Sequence, residues 1–373
     1  MNTYIVVGAG ILGASTAYHL AKRGARVTLI DRNDSGQATK AGAGIICPWL
    51  TNRSNKPWYR LVTEGAKFYP KLVEELEAVG ETETGYSQVG AINIFSGEDR
   101  LHKKVELAKE RQKSTPEMGE VTKLSVKETK ELFPLLSDDY ASVHISGGAR
   151  VNGSEICYAL IRSAKKYGAS IVYGNASLMK EKDTITGVYV NNQKYFADRV
   201  IVTGGAWAKE LVEPLGVKFN VTSQKAQIVH LQVPNTDTSK WPVVMPPYNQ
   251  YMLTFKNGRV VVGTTYEDNV HFDDEVTAHG IHTILDKALR VAPGIANTTY
   301  LETKVGFRPY TPNSLPVLGS IPRFEGLIVA NGLGASGLTS GPYIGDQLAK
   351  LALGEETHID FKDYDVRNAI RLE

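Results

Sequence analysis

The chain opens on a short apolar run, Tyr4-Ile5-Val6-Val7, which predicts a strand. Small and apolar residues then recur at helical spacing through Ala14, Ala17, Leu20 and Ala21, and Gly24 stops them. A second strand follows, Arg26-Val27-Thr28-Leu29-Ile30-Asp31, and it ends in an acid. Residues 58–79 place Trp58, Leu61, Val62, Phe68, Tyr69, Leu72, Val73, Leu76 and Val79 on one helical stripe, the pattern of a core-facing helix. Residues 98–113 read as a charged surface helix. Ser125 and Glu128 form a capping box for a short helix stopped by Pro134.

Residues 153–168 predict an amphipathic helix ending at Gly168, and Ser170–Tyr173 a strand. Residues 188–190 and 194–196 flank Asn191-Asn192 as a hairpin. The run from Arg199 to Thr203 predicts a buried strand leading into a turn at Gly204-Gly205 and a helix. The middle is β-rich: residues 224–232 alternate, and 251–255 and 259–264 flank Asn257-Gly258, a strong hairpin signal. Residues 275–291 are helical and close on Pro293-Gly294. In the tail, residues 327–330 predict a buried strand, 331–337 a glycine loop, and Pro342 the opening of a helix over 343–353 that stops at Gly354. The chain thus begins and ends with strand–glycine loop–helix units and carries a β layer between them. No solenoid period or low-complexity tract interrupts this.

Composition narrows the class. At 373 residues the chain exceeds what one core usually supports, so two lobes are expected. It is 42% hydrophobic and 22% charged, as an ordinary globular protein is. A net charge of +2 gives no whole-molecule field for nucleic acid or an anionic membrane, and basic pairs such as Lys103-Lys104 and Lys165-Lys166 read as solvated helix faces. Two cysteines, Cys47 and Cys157, make neither a disulfide framework nor a zinc site, which fits a reducing cytoplasm. The apolar start lacks a basic leader and is broken by glycines, so no signal peptide is expected. A peripheral membrane contact and a homo-oligomer stay open.

The first unit carries chemistry. Gly8, Gly10 and Gly13 form a Gly-x-Gly-x-x-Gly turn between the strand and the helix, and Asp31 lies 18 residues after Gly13. Gly8 permits the tight turn, Gly10 lets a pyrophosphate approach the backbone, and Gly13 lets helix and strand pack closely. The helix N-terminus presents N–H groups to the phosphates, and a carboxylate at Asp31 accepts from a ribose 2′-hydroxyl and disfavours NADP. Beyond Asp31, residues 35–45 are small, so their backbone could lie against a flat ligand or act as a flexible linker.

Three features together resemble one family. They are this dinucleotide unit, the strand and turn Val200-Ile201-Val202-Thr203-Gly204-Gly205-Ala206-Trp207, and the tail segment Val305-Gly306-Phe307-Arg308-Pro309-Tyr310-Thr311-Pro312 with Leu315-Pro316-Val317-Leu318-Gly319. Over essentially its whole length the chain resembles the D-amino-acid oxidase, glycine oxidase and D-amino-acid dehydrogenase family of FAD-dependent enzymes. The resemblance implies an α/β fold: a discontinuous, Rossmann-like FAD domain of the GR2 type over 1–85, 142–215 and 305–373. An antiparallel-β plus helix substrate domain is inserted over 86–141 and 216–304. It implies a non-covalent FAD, since no cysteine follows position 157. The FAD would be held by Gly8, Gly10, Ile11, Leu12 and Gly13, and by Asp31 and Arg32 at the adenosine ribose. Ala38, Thr39, Ala43, Gly44 and Ile45 would lie along the pyrophosphate and the isoalloxazine, Ser177 at adenine, with Gly204 nearby. The terminal loop would contribute Gly332, Leu333, Gly334, Ala335, Ser336, Gly337, Leu338 and Thr339.

The resemblance also implies that Arg308 pairs with a substrate carboxylate, as a planar guanidinium does with two parallel bonds. The alternative for Arg308 is an internal ion pair. Tyr251 would help to hold the carboxylate, or be an ordinary strand tyrosine, and Tyr266 would face the pocket where side chains are selected. The implied reaction takes a hydride from Cα of a small amino acid, D-configured or glycine-like, to flavin N5, giving imine, then keto acid and ammonia. Secondary amines of the sarcosine or proline type are the second substrate class, and a flavin-binding subunit without turnover is the reading from another class. A helix N-terminus near Ser340 and Pro342 would face the flavin N1–C2 oxygen. Electrons would pass to oxygen or a quinone-type acceptor. Glycine-oxidising relatives carry His and Arg where this chain has Leu333 and Ala335, which puts strict glycine oxidation in question. The eight histidines form no cluster, His144 and His230 read as structural, and no metal site is expected.

Overall fold

The structure, a computed structural model, describes residues 2–372. A six-stranded sheet forms one side of the molecule. Its spatial order is Val317–Ser320, Leu327–Asn331, Arg199–Val202, Thr3–Val7, Arg26–Asp31, Ser170–Tyr173. The last five strands pair in parallel and the first is antiparallel. Burial on both faces explains the unbroken apolar runs. Tyr4 and Val6 face a core shared with the helices, while Ile5 and Val7 face a second core on the other side. The helices Ile11–Lys22, Lys56–Ala78, Gly153–Lys166 and Gly337–Leu353 pack together on the first face. A three-stranded sheet, Ala176–Glu181, Thr184–Val190 and Gln193–Phe196, covers the second through Ile185, Val188 and Val190.

The predicted hairpin at Asn191-Asn192 is present, with both asparagines at positive φ. The strand Ala176–Glu181 beside it is not evident in the sequence, because of its six residues only Ala176 and Met179 are buried.

The second sheet has eight strands, in the order Thr299–Tyr310, Thr222–Gln232, Arg259–Gly263, Tyr251–Thr254, Val243–Met245, Ala91–Phe95, Ala141–Ile145, Val121–Leu124. Its pairings are antiparallel except where Val243–Met245 meets Ala91–Phe95. That parallel seam joins two stretches of chain about 150 residues apart, where no hairpin dictates direction. The helices Val126–Leu132 and Ala278–Val291 bring Phe133 from just beyond the first, and Ile284, Ala288 and Val291, onto one face against Ile92, Val229, Met252 and Val262. The strands Ala141–Ile145 and Thr299–Tyr310 run unbroken across residues 141/142 and 304/305.

Two local expectations are corrected. The tail helix starts at Gly337, not near Ser340, and Pro342 lies inside it. Pro342 has no N–H to give the carbonyl of Leu338 four residues earlier. The Tyr69 hydroxyl donates to that carbonyl instead, at 2.5 Å, so a residue of the Lys56–Ala78 helix replaces the missing bond. The second correction is Lys104. The Glu98–Gln112 helix is charged, yet it buries Leu101, Val105 and Ala108, and Lys104 with them. The Lys104 ammonium donates to the Leu50 carbonyl at 3.1 Å and to Asn52 Oδ1, and burial lowers its pKa.

Candidate active site

A cavity of about 570 Å³ runs between the two sheets. At one end it begins on the first glycine turn. Gly8 has φ +105°, and a Cβ there would lie 2.6 Å from the Thr203 carbonyl. A Cβ on Gly13 would lie 1.8 Å from the Gly8 carbonyl, so Gly13 sets the contact between helix and turn and does not itself line the cavity. The helix Ile11–Lys22 has no cap from its own N-cap residue, only Thr39 Oγ1 on the Ile11 N–H, and no acid in its first turn; the helix Gly337–Leu353 has neither an N-cap side-chain bond nor a first-turn acid. Both present their first turns to the cavity, through Gly10, Ile11 and Leu12 and through Gly337, Leu338 and Thr339. Two helix N-termini without an N-cap side-chain bond on one elongated space suit a ligand with an anionic middle. A Cβ at Gly205 would have no protein atom within 4 Å, and at Gly337 only Leu333 at 3.7 Å, so the backbone there faces open room. This geometry fits a dinucleotide such as FAD.

The other expected cofactor residues divide clearly. Asp31, Arg32, Ala38, Thr39, Ala43, Gly44, Ile45, Ser177, Gly204, Leu333, Gly334 and Ala335 line the cavity. Asp31 accepts from Ala9 N at 2.6 Å and from Gln37 Nε2 at 3.0 Å, and Thr39 Oγ1 accepts from Ile11 N at 2.9 Å. Arg32 is neutralised locally by Asp34 and Glu210. Like Gly13, Gly332 and Ser336 lie outside the lining. A Cβ on Gly332 would strike Thr311, and Ser336 Oγ accepts from Trp58 Nε1 at 3.1 Å. The small-residue loop over 35–45 is no free linker: it forms the turn Ala38–Ala41 and the short strand Ile45–Ile46, and Gly36 accepts from Phe307 N at 2.9 Å.

Arg308, Tyr251 and Tyr266 come together on the sheet side of the same cavity. Arg308 lies near the end of Thr299–Tyr310. Its Nη1 donates to Gln224 Oε1 at 3.2 Å and its Nη2 to Thr264 Oγ1 at 3.1 Å. Its guanidinium carbon stands 5.0 Å from the centre of the Tyr266 ring. No carboxylate takes part in these contacts, so they do not bear out the internal ion pair. Tyr251 stands opposite Gly263 in the strand register, and a Cβ at that glycine would lie 2.5 Å from the phenol oxygen. Burial pushes the Tyr251 phenol up to about 12, against the opposing pull of Arg308, so it is a protonated donor at neutral pH. Burial also raises Tyr266, again opposed by Arg308.

The sequence did not single out Gln224, Thr264, Trp207 or Phe272 for the site. Trp207 and Phe307 line the cavity, and Phe272 stacks on Trp207 with centroids 4.9 Å apart. Gln224 reaches Arg308 through strand register and Thr264 from just past the end of the strand Arg259–Gly263, a signal that no local pattern carries. Among the described residues no group of three or more metal-ligating side chains is present, and no helix is long and apolar enough to cross a membrane.

Comparison with known proteins agrees with this geometry. The family described as FAD dependent oxidoreductase matches residues 3–351. The chain is 55% identical to an uncharacterized oxidoreductase, YurR, of Bacillus subtilis (strain 168), over 99% of this chain and 100% of that one. The crystal structure of iminodiacetate oxidase from Chelativorans sp. BNC1 superposes with a TM-score of 0.94 at 45% identity, covering 97% of this chain and 98% of that one. The glycine oxidase structure from Geobacillus kaustophilus gives 0.85 at 25% identity, covering 98% and 99%. A glycine-rich cavity with two helix N-termini, faced by an arginine without a carboxylate partner, thus has its explanation: the chain belongs to the FAD-dependent oxidoreductase family that includes glycine oxidase, and it is an FAD enzyme acting on amine or amino-acid substrates.

Proposed function

We propose that the enzyme oxidises an N-substituted glycine, a secondary amine with one carboxylate on the reacting carbon. The observation that carries this is Arg308: its side-chain acceptors, Gln224 and Thr264, are neutral, and its charge is left for a substrate carboxylate. Arg308 takes that carboxylate, and the Tyr251 phenol donates to it. The two contacts fix the rotation of the substrate and turn its Cα–H toward the glycine-lined wall, whose residues would hold FAD. FAD, when bound, supplies the acceptor for the hydride. The nitrogen must be uncharged when Cα–H leaves. Loss of hydride from carbon and a proton from nitrogen gives an imine, and water splits this to glyoxylate and the amine.

Tyr266 is 47% exposed while its ring lines the cavity, so the nitrogen substituent can extend past it toward solvent. Leu333 and Ala335 leave the cavity side of the terminal loop uncharged, which suits a substrate bulkier than glycine. The likeness to iminodiacetate oxidase supports the secondary amine, since iminodiacetate is itself an N-substituted glycine. The likeness to glycine oxidases favours a second reading, oxidative deamination of a small primary amino acid.

Anaerobic mixing of the yellow protein with iminodiacetate, sarcosine, glycine, proline and a set of D-amino acids separates the two. The secondary amines are expected to bleach the flavin fastest. Bleaching by D-amino acids alone would reject the proposal. Repeating the fastest reaction with oxygen and with a quinone dye identifies the electron acceptor.

A further inference from the structure

Gln224 and Arg308 are direct cross-strand partners, on Thr222–Gln232 and Thr299–Tyr310. The register therefore delivers the Gln224 amide to the guanidinium. The amide is held from behind: its Nε2 donates to Asp268 Oδ1 at 2.8 Å, while its Oε1 accepts from Arg308. Reversing the amide would set its NH₂ against the guanidinium and its oxygen against the carboxylate, two repulsions at once. Asp268 thus selects the orientation that keeps an acceptor on Arg308. The second acceptor, Thr264 Oγ1, is neutral as well, and its own hydroxyl is anchored on the Gln227 carbonyl at 3.0 Å.

A glutamate at position 224 would have the same shape and would bind a guanidinium more strongly. It would also cancel the charge that draws in the substrate.

We propose that Gln224, oriented by Asp268, is a positioning residue that fixes Arg308 through a neutral acceptor and so preserves its full charge for the substrate carboxylate. The proposal rests on the reading that Arg308 receives that carboxylate. It makes an unusual prediction about rank order. A merely structural role makes Gln224→Ala the more harmful, because Gln224→Glu keeps the shape and the bond to Arg308 and loses only the one to Asp268, whereas Gln224→Ala loses both. A charge-preserving role reverses the order.

The test uses the holoenzyme and acetate, a carboxylate without an amine, with binding read from the perturbation of the flavin absorbance at pH 8. Gln224→Glu is expected to weaken acetate binding roughly 10- to 100-fold, and Gln224→Ala by less. Asp268→Asn, on an exposed loop, is expected to weaken it about two- to fivefold, because the amide loses its lock. Acetate affinity in Gln224→Glu within about twofold of wild type, or weaker in Gln224→Ala than in Gln224→Glu, overturns the proposal. Should the position-224 variants fail to retain FAD, unchanged affinity in Asp268→Asn overturns it instead. Arg308→Ala is measured alongside. Undiminished acetate binding there defeats the carboxylate reading itself, whereas loss there with no effect at Gln224 defeats only this inference.

Discussion

The glycine turn and the arginine cradle occupy one cavity and are built in opposite ways. The turn is local: Gly8, Gly10 and Gly13, with the strand before and the helix after, lie within about twenty consecutive residues. The cradle is assembled across distance: Gln224, Thr264 and Arg308 come from three separate stretches, the first and last joined by strand register and Thr264 by its hydroxyl. The first depends on backbone clearance and the second on side-chain charge. A family can therefore keep one while altering the other, so that the cofactor stays and the substrate changes.

The comparison can be broken at either end. The largest effect is expected from Gly13→Val, which drives side-chain atoms into the Gly8 carbonyl; the purified protein should be colourless and fail to reconstitute with FAD. A yellow, reconstitutable variant would show that the turn tolerates more than its packing suggests. Arg308→Ala should keep FAD and lose substrate affinity by roughly 2–5 kcal/mol, the scale for removing one partner of a desolvated charge pair, as titration of flavin reduction would reveal. Tyr69→Phe removes the donor on the Leu338 carbonyl, and urea unfolding should register a loss of about 1–3 kcal/mol, with substrate affinity unaltered.

The smallest effect concerns acid. His230 lies buried in the eight-stranded sheet, and burial, then Lys304 and Arg259, push it from 6.5 down to about 3. Glu302 stands 3.8 Å from its ring and does not reverse this. The unfolded chain takes up the proton first, so stability is full above about pH 6.5 and drains away as pH falls toward about 3. His230→Leu should flatten that part of the pH dependence of the urea midpoint; an unchanged slope would assign the acid sensitivity elsewhere.

What the sequence made legible follows the same division. The strand–turn–helix unit, the capping box at Ser125 and the Asn257-Gly258 hairpin depend on neighbours in the chain, and each is found where the pattern puts it. Arg308 is legible because Gly306-Phe307-Arg308-Pro309 carries the resemblance to the family, and its surroundings are not. Gln224 sits 84 residues away and belongs to an ordinary alternating run. Pro342 misled for a physical reason: proline commonly opens a helix, and its use inside this one depends on a hydroxyl from residue 69. The burial of Lys104 is not legible because its helix reads as charged throughout, while the carbonyl that captures its ammonium belongs to a loop about fifty residues earlier.

The tail helix also bears on the order of assembly. The strand Leu327–Asn331 and the first turn of Gly337–Leu353 complete a wall whose opposite side is made from residues 8–12. A nascent chain still lacking those late residues on the ribosome offers only one of the two helix ends and an unfinished groove. The groove is therefore complete only when the earliest and latest parts of the polypeptide have come together.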